Sequence, residues 1–229
     1  MSTSHEPDQL PVLVQAGSAS LEADLTLPSD PQGIVIFAHG SGSSRKSPRN
    51  RYVSDVLVAG GSATLLFDLL TFEEQAIDQV DASLRFDIQL LTQRLAATVD
   101  WASRFERLAG LPVGLFGAST GAAAALQAAV RRPQRVTTVV SRGGRPDLAG
   151  ASIPQIHCPT LLIVGGDDHD VLQLNRHAAS MMTCPVRVEV VPGATHLFEE
   201  PGKLQEVAQL ASNWFHDRFQ TNTLDGSMP

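Results

Sequence analysis

Positions 113–125 carry the sequence VGLFGASTGAAAA. Its first four residues form an apolar run, which is typical of a strand covered on both faces of a sheet. Gly117 and Gly121 flank Ser119 in a G-x-S-x-G pattern, and the alanines that follow favour a helix. The stretch therefore predicts a strand, a tight turn with Ser119 at its tip, and a helix packed closely on the sheet.

The same alternation of strand and helix runs along the chain. Two opening strands, 13–14 and 21–27, are expected to pair antiparallel through the turn at Gly17 and Ser18. Further strands are predicted at 33–38, 63–67, 113–116, 136–140, 161–164 and 186–191, and helices at 54–59, 85–108, 121–130, 172–181 and 203–219. Strands that alternate with helices imply right-handed crossovers and a largely parallel sheet.

The fold class predicted is α/β: a three-layer α/β/α sandwich with a mostly parallel sheet, formed by one domain over residues 1–229. The polar ends, 1–9 and 221–229, are expected to be flexible. Because no long insertion follows the strand at 136–140, a large cap domain is not expected. The acidic stretch 71–81 is a candidate to cover part of the site.

Composition and net charge argue against several classes of protein. The chain has 229 residues and a net charge of −7, which disfavours nucleic-acid binding. No apolar run is long enough to span a membrane, and the first residues do not resemble a secretory signal. Cys158 and Cys184 are interpreted as reduced thiols. We expect a cytoplasmic monomer or small homo-oligomer that acts on a small molecule.

Three side chains are candidates for catalysis. Ser119 needs a base to become a nucleophile, and histidine suits this task near neutral pH. His196 follows the strand at 186–191 and comes late in the chain, where the base of a Ser–Asp–His series is expected. Asp167, Asp168 and Asp170 follow the strand at 161–164, and spacing alone leaves Asp167 and Asp168 open as the third member.

An oxyanion hole requires backbone N–H groups beside the nucleophile. Thr120 supplies one, since it follows Ser119 directly. The second is assigned to Ser41 in the small-residue loop after the strand at 33–38, with Gly42 as the alternative. His39 and Gly42 of this loop are also candidate substrate contacts.

Basic side chains near these loops are candidates for binding an anionic substrate. They are Arg45, Arg49 and Arg142, and Arg145 has the same ambiguity. The alternative is that the arginines are solvated or pair with acids such as Asp68 and Asp87.

With these residues in place, the chain resembles the dienelactone hydrolase-like branch of the α/β-hydrolase superfamily from about residue 33 to 219. The motifs that carry the likeness lie at 39–42, 117–121, 165–168 and 193–196. The triad acid of that family is commonly part of a D-x-x-V segment, which favours Asp168, three residues before Val171. The resemblance implies hydrolysis of esters or lactones through an acyl-enzyme, with no metal or cofactor.

The chain differs from the family pattern in its nucleophile. Dienelactone hydrolases typically use a cysteine nucleophile, so Ser119 favours a general carboxylesterase. Segment 44–51 is also similar to small hydrolases that are sometimes fused to phosphoribosyltransferase domains. The alternative functions are an acyltransferase with the same triad and a noncatalytic small-molecule binder.

Overall fold

The computed structural model describes residues 6–225. In this part of the chain eight strands form one sheet in the order β1-β2-β4-β3-β5-β6-β7-β8. The strands are β1 (Asp8–Ala16), β2 (Ala19–Leu27), β3 (Ile34–Ala38), β4 (Ala63–Phe67), β5 (Val113–Ala118), β6 (Val136–Arg142), β7 (Thr160–Gly165) and β8 (Val186–Val191). The helices are α1 (Pro48–Ala59), α2 (Phe72–Asp81), α3 (Ile88–Ala102), α4 (Thr120–Arg131), α5 (His169–Met181) and α6 (Lys203–Asp225).

The sheet is mostly parallel, as predicted. Strand β2 pairs antiparallel with β1 and β4, and all other neighbours are parallel. Helices α3 and α4 bury apolar side chains against one face, and α1 and α6 do so against the other. The three-layer α/β/α sandwich is confirmed, and β3, β5, β6, β7 and β8 end at one edge of the sheet, where ligands bind in such folds.

The helix predicted over 85–108 is interrupted. Helix α3 begins after Asp87, whose side chain accepts the N–H of Leu90 at 2.9 Å, and it ends at Ala102. A separate 3₁₀ turn follows at Glu106–Leu108. The apolar spacing continues across the break, so periodicity alone does not reveal it.

Helix α2 lies in the stretch predicted only as acidic. Its first turn contains a capping box, in which the side chain of Thr71 accepts the N–H of Glu74 and the Glu74 carboxylate accepts the N–H of Thr71. This is a start signal that the sequence contains. Helix α1 also begins earlier than its predicted start at residue 54, because Ser47 caps it and Pro48 occupies its first position.

Some residues of the two ends expected to be flexible belong to regular elements. Asp8 and Gln9 belong to β1, where they pair with Leu27 and Thr26, and α6 continues through residues 221–225. Residues 1–5 and 226–229 lie outside the described part of the chain. Among the described residues, no helix combines the length and apolar character needed to cross a membrane.

Candidate active site

Ser119 lies in the tight turn between β5 and α4. Its backbone has φ 51° and ψ −120°, a conformation unfavourable for a residue with a Cβ atom. The flanking glycines permit this turn, since a Cβ on Gly117 would collide with the backbone of Ala122 and one on Gly121 with the carbonyl oxygen of Ala38. The G-x-S-x-G spacing thus has a steric cause, and it leaves the Ser119 side chain at the edge of the sheet.

His196 and Asp168 reach the same point from two neighbouring strands. Nε2 of His196 lies 3.3 Å from Oγ of Ser119, and its Nδ1 lies 2.7 Å from Oδ2 of Asp168. Asp168 is at the N-cap position of α5, yet its side chain makes no capping hydrogen bond. Asp167 and Asp170 are exposed. The structure therefore brings Asp168, of the three acids, against His196.

A glycine that the sequence reasoning missed supports His196. Gly143 follows β6 and has φ 51°. A Cβ at this position would lie 3.1 Å from the carbonyl oxygen of His196 and 3.6 Å from its Cε1. The signal in the sequence is a Gly–Gly pair that begins three residues after the predicted strand at 136–140, a place where close approach of two backbones is common.

The loop after β3 lies beside the turn that contains Ser119. A Cβ on Gly40 would be 3.2 Å from Cβ of Ser119. The N–H of Ser41 donates to Oγ1 of Thr120 at 2.9 Å, and Gly42 adopts φ 68°. Both predicted oxyanion donors are thus adjacent to Ser119, and in this state the Ser41 amide is held by the hydroxyl of Thr120.

His39 is partly buried and holds this loop in place. Its Nε2 accepts the N–H of Leu69 at 3.2 Å, so the proton is on Nδ1, which donates to the carbonyl oxygen of Gly40 at 3.0 Å. Burial lowers the pKa of His39 and keeps the ring neutral. Both ring nitrogens are engaged within the protein, so His39 positions this loop, and its contact with a substrate stays a prediction.

The three candidate arginines have different surroundings. Arg45 forms ion pairs with Asp68 and, at 2.5 Å, with Glu22, so its charge is compensated within the protein, and substrate binding by Arg45 stays a prediction. Arg49 pairs with Glu199 at 2.8 Å. Arg142 is buried beside the Ser119 turn. The predicted pairing of these arginines with acids is found for Asp68, whereas Asp87 caps α3 instead.

A cavity of about 590 Å³ lies beside the loop after β3, and His39 is part of its lining. Its lining includes Ser41 and Gly42, together with Gln75, Asp78 and Gln79 from α2. Residues of the stretch 71–81 therefore line one side of this cavity, and covering of the Ser119 site by this stretch stays a prediction.

Comparison with known proteins agrees with this architecture. A sequence model described as "Dienelactone hydrolase family" matches residues 21–221. The chain belongs to this family. A dienelactone hydrolase from Anabaena variabilis has a crystal structure that matches with a TM-score of 0.92 and 53% identity, covering 93% of this chain and 99% of that one. Est1E from Butyrivibrio proteoclasticus matches with a TM-score of 0.77 and 14% identity over 92% and 99% of the two chains, which shows the shared fold alone.

Two curated relatives of this chain are named for a different activity from that of the dienelactone hydrolase family. Sequences from two strains of Mycobacterium tuberculosis, each named "Putative phosphoribosyl transferase", are 55% identical over 208 residues. The match covers 91% of this chain and 46% of the relatives. The chain thus spans about half their length, and their name describes a protein about twice as long.

Proposed function

We propose that the chain is a serine hydrolase that cleaves small carboxylic esters or lactones through an acyl-enzyme on Ser119. The observation that carries the proposal is the continuous relay from Oγ of Ser119 through His196 to Asp168, with separations of 3.3 and 2.7 Å. Membership of the dienelactone hydrolase family supports the same general chemistry. A serine in place of the cysteine typical of that family favours esters over dienelactone itself.

The relay supplies the groups that acylation requires. Nδ1–H of His196 donates to the Asp168 carboxylate, which leaves Nε2 free to accept the proton of Ser119. Oγ attacks the substrate carbonyl carbon, the C–O bond to the leaving group breaks, and His196 returns the proton to the departing alcohol. Water then repeats the sequence on the acyl-enzyme and releases the acid and free Ser119.

Charge on the carbonyl oxygen is stabilised by two amides. Thr120 is the first residue of α4, so its N–H has no partner within the helix and lies at the positive end of the helix dipole. The Ser41 N–H is the second donor, and it exchanges the Thr120 hydroxyl, 2.9 Å away, for the oxyanion as negative charge develops. A charged acceptor makes the stronger hydrogen bond, which favours this exchange in the transition state.

The connection after β6 favours small substrates. It consists mainly of the 3₁₀ segment Pro146–Gln155, which contacts α4 and α5. An α/β-hydrolase without a large cap offers an open site, which suits short acyl groups better than long ones.

The test is hydrolysis of p-nitrophenyl esters from acetate to octanoate by the wild type, by Ser119→Ala and by Ser180→Ala. Ser180 is an exposed serine of α5 whose hydroxyl donates to the carbonyl oxygen of His177, which makes it a matched control. We expect turnover that favours short chains, survives in Ser180→Ala and is lost in Ser119→Ala. Equal turnover by wild type and Ser119→Ala, or none by wild type, contradicts the proposal.

Two added measurements separate the alternatives. If the acyl group is transferred to an added alcohol and less free acid is formed, the reaction is acyl transfer instead of hydrolysis. Failure of Ser119 to react with a fluorophosphonate, together with no ester turnover, indicates a noncatalytic binding protein.

A further inference from the structure

Cys158 and Cys184 occupy equivalent places before two neighbouring strands. Cys158 lies two residues before Thr160, the first residue of β7, and Cys184 lies two residues before Val186, the first residue of β8. Thr160 pairs directly with Val186, and the N–H of Thr160 donates to the carbonyl oxygen of Pro185 at 2.9 Å. The parallel register therefore sets the two cysteines beside each other.

The two cysteine side chains also lie on the same face of the sheet. Both are partly buried and pack against the apolar cluster that α3 and α4 form with the sheet. The hydroxyl of Thr160 is within hydrogen-bonding reach of both thiols. Neighbouring strands are about 4.8 Å apart, and the Cα atoms of a disulfide are about 4.4–6.8 Å apart. A disulfide between Cys158 and Cys184 therefore fits the spacing of the two strands.

The pair lies at the edge of the sheet and far from Ser119. Among the strands of the described chain, β8 pairs with β7 alone. The opposite ends of these two strands lead to the loops that contain Asp168 and His196, about 20 Å away along the strands. A covalent bond between the cysteines would thus join the edge strand to its neighbour without entering the candidate active site.

Both thiols are free in this structure, and both have a raised pKa. Burial and the neighbouring Cys184 thiol raise the pKa of Cys158 to about 12, and burial raises the pKa of Cys184. Few thiolates are then present at neutral pH, so oxidation is slow. A thiol with a high pKa is also a poor leaving group, so the disulfide resists reduction once it has formed. These properties suit a stabilising bond better than a fast redox sensor.

We propose that Cys158 and Cys184 are a site of reversible disulfide formation that cross-links the edge strand β8 to β7. The oxidant is a low-molecular-weight disulfide such as oxidised glutathione. One cysteine thiolate attacks a sulfur atom of the oxidant, which forms a mixed disulfide and releases one thiol. The other cysteine thiolate attacks the protein sulfur of the mixed disulfide and releases the second thiol. The two cysteines are oxidised, and the two released thiols carry their protons. The proposal is independent of the chemistry at Ser119.

Thiol content and mass identify the product of oxidation. The full chain is reduced, freed of reductant and incubated with excess oxidised glutathione at a pH of about 8.5, which supplies more thiolate. Cys158→Ser and Cys184→Ser are the matched controls, because the chain contains two cysteines and each variant keeps one of them.

The wild type should lose both thiols and two hydrogen atoms of mass, and it should migrate as a monomer on a non-reducing gel. Each single variant should instead keep its thiol or take up one glutathione. Wild-type protein that keeps both thiols, carries a glutathione on each cysteine or forms only cross-linked dimers overturns the proposal.

Thermal unfolding measures the effect of the cross-link on stability. A disulfide closes the loop 158–184 and so restricts the unfolded chain. We expect the Tm of the oxidised wild type to exceed that of the reduced wild type by about 5–10 °C. Dithiothreitol should reverse the increase, and both single variants should lack it. A disulfide that leaves Tm unchanged, or an equal increase in the single variants, overturns the stabilising role.

Discussion

Replacement of Ser119 by glycine tests whether the backbone of the turn between β5 and α4 is strained. The φ of 51° and ψ of −120° at Ser119 cost a residue with a Cβ atom about 1–3 kcal/mol, whereas glycine adopts them readily. Glycine loses about 0.5–1 kcal/mol more than alanine in conformational entropy on folding. Ser119→Gly should therefore be more stable than Ser119→Ala by about 0.5–2 kcal/mol, which raises Tm by about 1–8 °C in a domain of this size.

Alanine is the matched control, because both variants lack the hydroxyl that contacts Nε2 of His196. The comparison therefore isolates the backbone contribution from the lost side-chain contact. Tm is measured by calorimetry in one buffer, and ester turnover should fall by roughly 10⁴–10⁶ in both variants. A Ser119→Gly protein no more stable than Ser119→Ala would refute the strain argument, even if both proteins were inactive.

Three further predictions concern the residues around Ser119. Thr120→Val should lower the free energy of unfolding by about 1 kcal/mol, because the Ser41 amide loses its acceptor. Thr120→Ser keeps a hydroxyl and should not lower it. Equal denaturant midpoints for the two variants would contradict the 2.9 Å hydrogen bond between the Ser41 amide and the Thr120 hydroxyl. His39 has a lowered pKa in the folded state, so its contribution to stability is complete above the ordinary histidine pKa of about 6.5 and is lost as the pH falls from there through the folded-state value. Unfolding midpoints from pH 7 to pH 5 should therefore fall more steeply for the wild type than for His39→Gln, and parallel curves would argue against this role. Asp168→Asn should reduce kcat about 10⁴-fold. Asp167→Asn, at the exposed neighbouring position, is the control and should retain activity. Loss of activity in Asp167→Asn and its retention in Asp168→Asn would assign the triad acid to Asp167.

Local patterns in the sequence were sufficient for the fold class and for the nucleophile turn. The apolar run before Ser119, its two glycines and the alanines after it act within about a dozen residues. Their effect depends on steric clashes and on side-chain periodicity, and both can be deduced from neighbouring residues without information on distant contacts. The order Ser119, Asp168, His196 and the placement of each after a strand were visible for the same reason, because parallel strands end at a common edge.

Helix boundaries depended partly on contacts that periodicity does not encode. The capping box at Thr71 is local and readable, but its stretch has too few apolar positions to indicate a buried face. The break between Ala102 and Glu106 lies within a continuous apolar pattern, so the pattern does not indicate where the helix ends.

Spacing alone left Asp167 and Asp168 open and the family resemblance favoured Asp168, whereas the tertiary structure decided what each arginine contacts and brought Asp168 against His196. Asp167 and Asp168 are adjacent in sequence, and the register of β7 with β8 and the start of α5 turn Asp168 toward the imidazole. Arg45 and Arg142 follow similar predicted strands, yet Arg45 faces the carboxylates of β2 and the loop after β4, whereas Arg142 is buried on a face without them. The charge of a side chain follows from its residue type. Whether an opposite charge lies beside it depends on groups that folding brings together from distant parts of the chain.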